Sequence, residues 1–136
     1  MMIGGGCLCG SVRFRGEAEP RFQVKCYCND CRKTSAAGHA AMMGFARHAI
    51  AISGEVKEFQ SKADSGSDVF RAFCPTCGAG VFARNASMPE MIFVRASTLD
   101  DLSLFNPQLV VYAARAPAWD PVNAGIPSFP ESPPRG

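Results

Sequence analysis

The sequence contains seven cysteines, and they fall into three tight groups. The groups are "CLC" (Cys7, Cys9), "CYCNDC" (Cys26, Cys28, Cys31) and "CPTC" (Cys74, Cys77). An odd number of cysteines cannot form a closed set of intrachain disulfides, and the cytoplasm, which is the compartment we expect, opposes such bridges. Thiols grouped at metal-ligand spacing predict zinc binding instead.

Two of the groups together supply four thiols, Cys7 and Cys9 with Cys74 and Cys77. A closed four-thiolate zinc site is structural, and its binding energy adds to folding stability. Glycines flank both pairs, in "GGGCLCG" and "CPTCGAG", where a backbone turning around a metal needs residues without a Cβ. A strand-like segment follows each pair, "SVRFRGE" and "GVFARN". The two units form a turn-then-strand repeat that a zinc ion is predicted to join.

The remaining cysteines form a trio, Cys26, Cys28 and Cys31. Three protein ligands and an open fourth position are typical of a catalytic zinc. Three thiolates outweigh the charge of the zinc ion, so such a site activates water poorly, whereas an external thiol suits it well. The trio therefore predicts a site that captures a thiol. An iron–sulfur or redox role is the weaker alternative, because a cluster usually takes a fourth cysteine.

Charged residues flank the trio and are candidates for substrate binding. Lys25, Arg32 and Lys33 can compensate its negative charge or meet carboxylates of an anionic thiol, and solvated surface charge is the alternative for each. His39 follows the trio by eight residues. It is a candidate base, with a structural histidine as the alternative, and His48 is expected at the surface.

Most of the chain reads as short strands separated by turns, which is typical of an antiparallel all-β domain. Besides the two segments above, the predicted strands are "FQVKCY", "AMMGFAR", "HAIAIS", "EVKEFQ", "DVFRAFC", "MIFVRAS" and "LVVYAAR". Helix is expected to be scarce. The best candidate is "NDCRKTSAAGHAA", which Asn29 or Asp30 would cap and which we expect to form a single turn.

Length and charge limit the classes of function. The 136 residues suit one domain, and 14 basic against 12 acidic residues give a net charge of +2 without any basic block. This predicts neither a nucleic-acid partner nor a membrane partner. The longest apolar run, residues 40–46, is far shorter than the roughly 20 residues that span a bilayer, and "MMIGGG" lacks the features of a signal peptide.

The composition changes after residue 116, since six of the ten prolines lie in the last 20 residues. We predict a zinc-binding β domain over residues 1–116 and a proline-rich carboxyl-terminal tail over residues 117–136. Trp119, Ile126 and Phe129 are large enough to dock part of this tail on the domain.

These motifs resemble the glutathione-dependent formaldehyde-activating enzyme (GFA, or CENP-V/GFA domain) family. The resemblance runs through "GGGCLCGSVRFRGE", "CYCNDCRKTSAAG", "FCPTCGAGVF" and "VRASTLDD" to Trp119, and it covers the order and spacing of all seven cysteines. It implies a mainly β, Mss4-like fold of short antiparallel sheets around a structural zinc, with little helix.

The resemblance also implies an activity. In this family the structural zinc is held at the positions of Cys7, Cys9, Cys74 and Cys77, and a labile second zinc at those of Cys26, Cys28 and Cys31. Family members of known activity are carbon–sulfur lyases that add glutathione to formaldehyde and give S-hydroxymethylglutathione. The implied partners are a small thiol such as glutathione and a small carbonyl compound, and a homodimer is among the assemblies left open.

Two positions depart from the family pattern. Tyr27 stands where the family commonly has a histidine between the first two cysteines of the trio, and Val111 and Tyr112 lie where it has a His-Ile pair. The alternative function is therefore a zinc-stabilised binding module of the same fold without catalysis, in which the trio only holds a loop.

Overall fold

A computed structural model of the chain describes residues 1–132; the last four residues of the predicted tail lie outside this range. The strands are β1 (Met2–Gly6), β2 (Arg13–Glu17), β3 (Phe22–Cys26), β4 (Ala40–Ala46), β5 (Ile50–Ser53), β6 (Lys57–Lys62), β7 (Asp68–Phe73), β8 (Gly80–Asn85), β9 (Met91–Arg95) and β10 (Leu109–Val111). One α-helix, α1 (Asn29–Ser35), lies between β3 and β4 in the described range. The mainly β fold expected from the sequence is confirmed.

The strands form two sheets. The small sheet has the order β1-β2-β5, and the large sheet has the order β10-β3-β4-β9-β8-β7-β6. Neighbouring strands are antiparallel except β10, which runs parallel to β3. Sequence periodicity did not predict this parallel pair, because strand direction depends on the path of the chain between β3 and β10.

Facing side chains of the two sheets form the core. Ile3, Phe14 and Ile50 of the small sheet are buried in one cluster with side chains of the large sheet such as Met43 and Val94. Met43 belongs to β4 and Val94 to β9. Both strands also place apolar side chains on the opposite face of the large sheet, because successive residues of a strand point in opposite directions. The middle of the large sheet is therefore apolar on both faces.

The N-cap of the helix lies before both predicted cap residues. The Sγ of Cys28 accepts a hydrogen bond from the Cys31 N–H at 3.2 Å and forms the N-cap, in place of Asn29 or Asp30. Helix α1 spans seven residues, about two turns rather than the single turn expected, and ends at Ala36 in the left-handed conformation. Cys28 is thus the cap of the helix, and Cys31 belongs to its first turn.

Strand β1 was missed because its sequence, "MIGGG", is rich in glycine, a residue depleted in strands. The packing explains the glycines. A Cβ at Gly5 would lie 2.2 Å from the carbonyl oxygen of Thr98 and 2.7 Å from the ring of Phe14. The small sheet can pack against the chain after β9 only because Gly5 has no side chain.

Replacing Gly5 with alanine is therefore expected to lower the free energy of unfolding by about 1–3 kcal/mol, because backbone atoms must move apart to admit the methyl group. Urea unfolding followed by circular dichroism measures this change. Gly4→Ala is the matched control, since a Cβ there would make ordinary contacts of 3.5 Å or longer. Equal losses from both variants would contradict the steric argument.

The described part of the tail runs beside β10. Val110 N–H donates to the Pro127 carbonyl, Phe129 N–H donates back to the Val110 carbonyl, and both distances are 2.9 Å. Ile126 and Phe129 are half-buried, whereas Trp119 is 73% exposed. Backbone hydrogen bonds, more than the tryptophan, hold this segment against the domain.

No helix in residues 1–132 is both long enough and apolar enough to cross a bilayer.

Candidate metal centres and substrate cavities

The quartet Cys7, Cys9, Cys74 and Cys77 converges at one end of the core. Their sulfur atoms all lie within 4.8 Å of one another, and the Sγ of Cys9 lies 3.7 Å from those of Cys7 and Cys74. A tetrahedral zinc with Zn–S bonds of about 2.3 Å places its sulfurs about 3.8 Å apart. The quartet therefore fits a four-coordinate zinc ion.

The backbone around the quartet is that of two similar turns. Gly10 and Gly78, each directly after the second cysteine of a pair, have φ of +83° and +77°, which a residue with a Cβ rarely adopts. Cys7 N–H donates to the Val12 carbonyl, and Cys74 N–H donates to the Ala79 carbonyl, both at 3.0 Å. The predicted turn-then-strand repeat is present in the structure.

Hydrogen bonds favour the thiolate at Cys7 and at Cys74. The Val12 N–H lies 3.2 Å from the Sγ of Cys7 and lowers the pKa of that thiol to about 7. The Ser11 hydroxyl lies 3.2 Å from the Sγ of Cys74 and lowers its pKa to about 5. Ser11 also lies 3.1 Å from the Sγ of Cys9. Such partners orient metal ligands, and the sequence indicates Ser11 only by its position two residues after Cys9.

The trio forms the second cluster. The sulfurs of Cys26, at the end of β3, and of Cys28 and Cys31, at the start of α1, also lie within 4.8 Å of one another. Hydrogen bonds from Cys26 and Cys31 lower the pKa of Cys28, and those to Cys28 and Cys31 raise the pKa of Cys26. Three thiols this close cannot all ionise unless a cation compensates their charge. The donor set fits zinc with one position left for another ligand.

Two cavities meet at the trio. The polar cavity, about 170 Å³, is lined by Cys28, Asn29, Asp30, Ala63, Asp64, Arg71, Tyr112 and Arg115. The apolar cavity, about 240 Å³, is lined by Cys26, Cys31, Asn85, two arginines (Arg71, Arg95) and nine apolar side chains that include Phe22, Val24, Met42, Val69, Ala83 and Phe93. Arg71 lines both cavities. The trio thus has a polar approach on the Cys28 side and an apolar approach on the other side.

Two arginines not indicated by the sequence analysis stand beside the trio. The hydrogen bonds of Cys28 with Cys26 and Cys31 are the largest causes that lower the pKa of Cys28, and the charge of Arg71 lowers it further. Arg95 is only 6% exposed and donates from Nη2 to the Thr34 hydroxyl at 2.9 Å. Burial lowers the pKa of Arg95, although the nearby Cys31 opposes this effect. These residues come from β7 and β9, at least 40 positions from the trio in sequence, so proximity along the chain could not identify them.

The four predicted substrate-binding residues lie elsewhere. Lys25, Arg32, Lys33 and His39 all belong to the described part of the chain, and none lines the polar or the apolar cavity. Lys25 donates from Nζ to Asn123 Oδ1 at 2.7 Å, and Lys33 is exposed. Their role toward a substrate stays a prediction.

Tyr27 points away from both cavities. Its side chain is fully buried, its hydroxyl donates to the Pro121 carbonyl at 3.2 Å, and its ring lies 5.0 Å from that of His39. His39 Nδ1 lies 2.5 Å from Asp120 Oδ2. Tyr27 and His39 therefore connect the trio's loop to the tail. The tyrosine that replaces a frequent family histidine does not obstruct the open side of the trio.

The departure at Tyr112, unlike the one at Tyr27, lies in a cavity beside the trio. Tyr112 lines the polar cavity together with Cys28, and the Arg115 guanidinium lies 5.0 Å from the centre of its ring. Its backbone is left-handed, with φ of +55°, at the end of β10. This turn brings Tyr112 and Arg115 to the same cavity.

Comparisons with known proteins agree with this geometry. The model of the family described as glutathione-dependent formaldehyde-activating enzyme matches residues 2–115. A Halomonas elongata protein that carries the family's name is 31% identical over 105 residues, which are 74% of this chain and 67% of that protein. A crystal structure of a Rhodobacter sphaeroides protein superposes with a TM-score of 0.60 at 22% identity, covering 76% of this chain and 96% of the other, and it supports the fold alone. The chain belongs to the glutathione-dependent formaldehyde-activating enzyme family.

Proposed function

We propose that this protein is a zinc-dependent enzyme of the carbon–sulfur lyase type that adds glutathione, or a related small thiol, to a small aldehyde. The observation that carries the proposal is the junction of two different cavities at three clustered thiols. A closed tetrahedron would have no room for a substrate, whereas the trio leaves one position. Zinc bound there would hold an incoming thiol as its thiolate at neutral pH.

The polar cavity matches the charges of a peptide thiol. Glutathione carries two carboxylates and one ammonium group. Arg71 and Arg115 are placed to receive carboxylates, while Asp64 and Asp30 are placed to receive the ammonium group. Arg115 Nη2 donates to Asp64 Oδ2 at 3.1 Å, so a positive and a negative side chain lie next to each other in this cavity. Thus, this chain supplies a polar binding surface next to Cys28.

The excess negative charge of the trio supports the role of the arginines. Three thiolates and one zinc ion leave a net charge of −1, and a substrate thiolate would add another. Arg71 and Arg95 stand next to the trio and compensate this charge in a partly water-excluded site, where such attraction is stronger than in bulk water. A thiolate and a carbonyl carbon held in adjoining cavities gain from proximity.

Glutathione binding to the zinc-loaded protein, measured by calorimetry, tests the proposal. Arg71→Gln is expected to weaken binding about tenfold or more, since a charge-assisted hydrogen bond contributes about 1.5–3 kcal/mol. Arg84→Gln is the matched control. Arg84 lies on the neighbouring strand β8, where residue 83 pairs with Arg71, so its side chain points to the opposite face.

Two outcomes would overturn the proposal. The first is an absence of zinc-dependent glutathione binding by the wild type, which would favour the alternative of a zinc-stabilised binding module. The second is an equal effect of the two arginine variants, which would show that the polar cavity does not recognise the thiol.

A further inference from the structure

The apolar cavity is one face of the large sheet. Val24 pairs with Met42, Met42 pairs with Arg95, and in the adjoining row Phe93 pairs with Ala83. Residues paired across antiparallel strands place their side chains on the same face, so these rows form a continuous surface. Cys26 belongs to this surface, two residues after Val24 on β3. The sulfur of Cys26 and the apolar surface are therefore parts of one site.

The cavity is much larger than formaldehyde needs. At about 30 Å³ for each water molecule, its 240 Å³ would hold about eight water molecules. Formaldehyde has only two non-hydrogen atoms and no apolar chain. The Phe22 and Phe93 rings, with centroids 5.4 Å apart, and the other apolar side chains of this surface would gain nothing from it.

Arg95 is a polar group within this apolar surface. A guanidinium has five N–H donors, and the hydrogen bond to Thr34 occupies one of them. Arg95 is nearly inaccessible to bulk water, and Arg71 lines the same cavity. Donors in such a position suit an oxygen atom that gains negative charge during a reaction.

We infer that the carbonyl substrate is an aldehyde with an apolar chain or ring of about four to eight carbon atoms, which lies in the apolar cavity with its oxygen toward Arg95 and Arg71. This inference rests on the proposed function above. The thiolate sulfur forms a bond to the carbonyl carbon, the C=O π bond breaks, and its electron pair moves to the oxygen. The proton released by the thiol ends on that oxygen, and the product is a hemithioacetal.

A series of aldehydes tests the inference with the zinc-loaded wild type and glutathione. The acceleration over the uncatalysed reaction is expected to rise from acetaldehyde through butanal to hexanal, by about fourfold for each added methylene group that is buried. Formaldehyde is expected to be a poor substrate. An acceleration that is flat or falls with chain length would overturn the inference and leave the proposed function standing.

A binding experiment tests the cavity without relying on activity. Met42 and Met88 line it, whereas Met43 is buried in the core. In methyl-labelled methionine spectra, 1-hexanol is expected to shift the Met42 and Met88 signals at much lower concentration than ethanol does, while Met43 stays unchanged. Equal effects of the two alcohols would overturn the inference. Signals that shift with protein concentration and not with hexanol would also overturn it, because they would show that a second copy of the chain covers this face.

A variant that fills the cavity completes the test. Ala83 lies on the cavity surface, and Ala83→Leu is expected to lower the ratio of hexanal to acetaldehyde acceleration at least tenfold. Ala86→Leu, at an exposed position just after β8, is the control and should keep the wild-type ratio. Zinc content and thermal unfolding establish that both variants fold. If no aldehyde is accelerated but hexanol still binds, the proposed function fails while the cavity's preference for apolar chains stands.

Discussion

Cys74→Ser is expected to unfold the protein. The thiol is fully buried within the core cluster, between the small sheet and the β7–β8 pair. A serine oxygen is a poor substitute for a soft thiolate ligand, so the quartet would lose its zinc. Structural zinc contributes about 10–16 kcal/mol in small zinc domains, which is comparable to the roughly 5–15 kcal/mol that stabilises a whole domain. The loss should therefore abolish the cooperative thermal transition.

Zinc content by mass spectrometry and thermal unfolding by circular dichroism measure this effect. The wild type is expected to bind two zinc ions and to unfold in one transition. A Cys74→Ser variant that keeps a cooperative transition and a full zinc content would contradict the structural role of the quartet. Exposed Ser97→Ala serves as a neutral reference.

Cys28→Ser is expected to leave the fold intact and to abolish thiol binding. Serine is among the best N-cap residues, so its hydroxyl can take over the hydrogen bond from the Cys31 N–H and α1 should still begin at the same point. Two thiolates hold zinc far more weakly than three. The variant should bind one zinc ion, lose zinc-dependent glutathione affinity and no longer accelerate the addition of glutathione to an aldehyde.

The readouts are zinc content, glutathione calorimetry and thermal unfolding, all compared with Cys74→Ser. We expect the change in unfolding free energy of Cys28→Ser to stay within about 1 kcal/mol, as for a change of cap residue. Equal damage to the fold from both variants would refute the division into a structural and a functional centre. Undiminished glutathione binding by Cys28→Ser would refute thiol capture by the trio.

The strand pattern was largely predictable. Nine of the ten strands in residues 1–132 overlap with segments that the sequence analysis identified, because alternating or β-branched residues between turns are a local signal. Strand β1 was missed because Gly5 is required by the close approach of the Thr98 backbone, which lies far away in the sequence. The parallel pairing of β10 was missed for the same kind of reason, since it depends on the path of the chain.

Part of the cavity's signal was present in the sequence. "AAMMGFA" in β4 and "MIFVR" in β9 are apolar at nearly every position, whereas a strand that is covered on one face should alternate. Such runs indicate that the second face is also removed from water. They do not indicate whether a helix, another copy of the chain or a ligand covers it.

The sequence by itself determined the mainly β fold and the family, and it predicted the seven cysteines as metal ligands divided into four and three. These conclusions depend on residue types and on short spacings, which local chemistry decides. Only the tertiary structure decided that Arg71 and Arg95 stand beside the trio, that Tyr27 and His39 face the tail, and that a polar and an apolar cavity meet at the three thiols. Strand pairing brings these residues together across long sequence separations, and the pattern within one strand does not indicate which distant strand it pairs with.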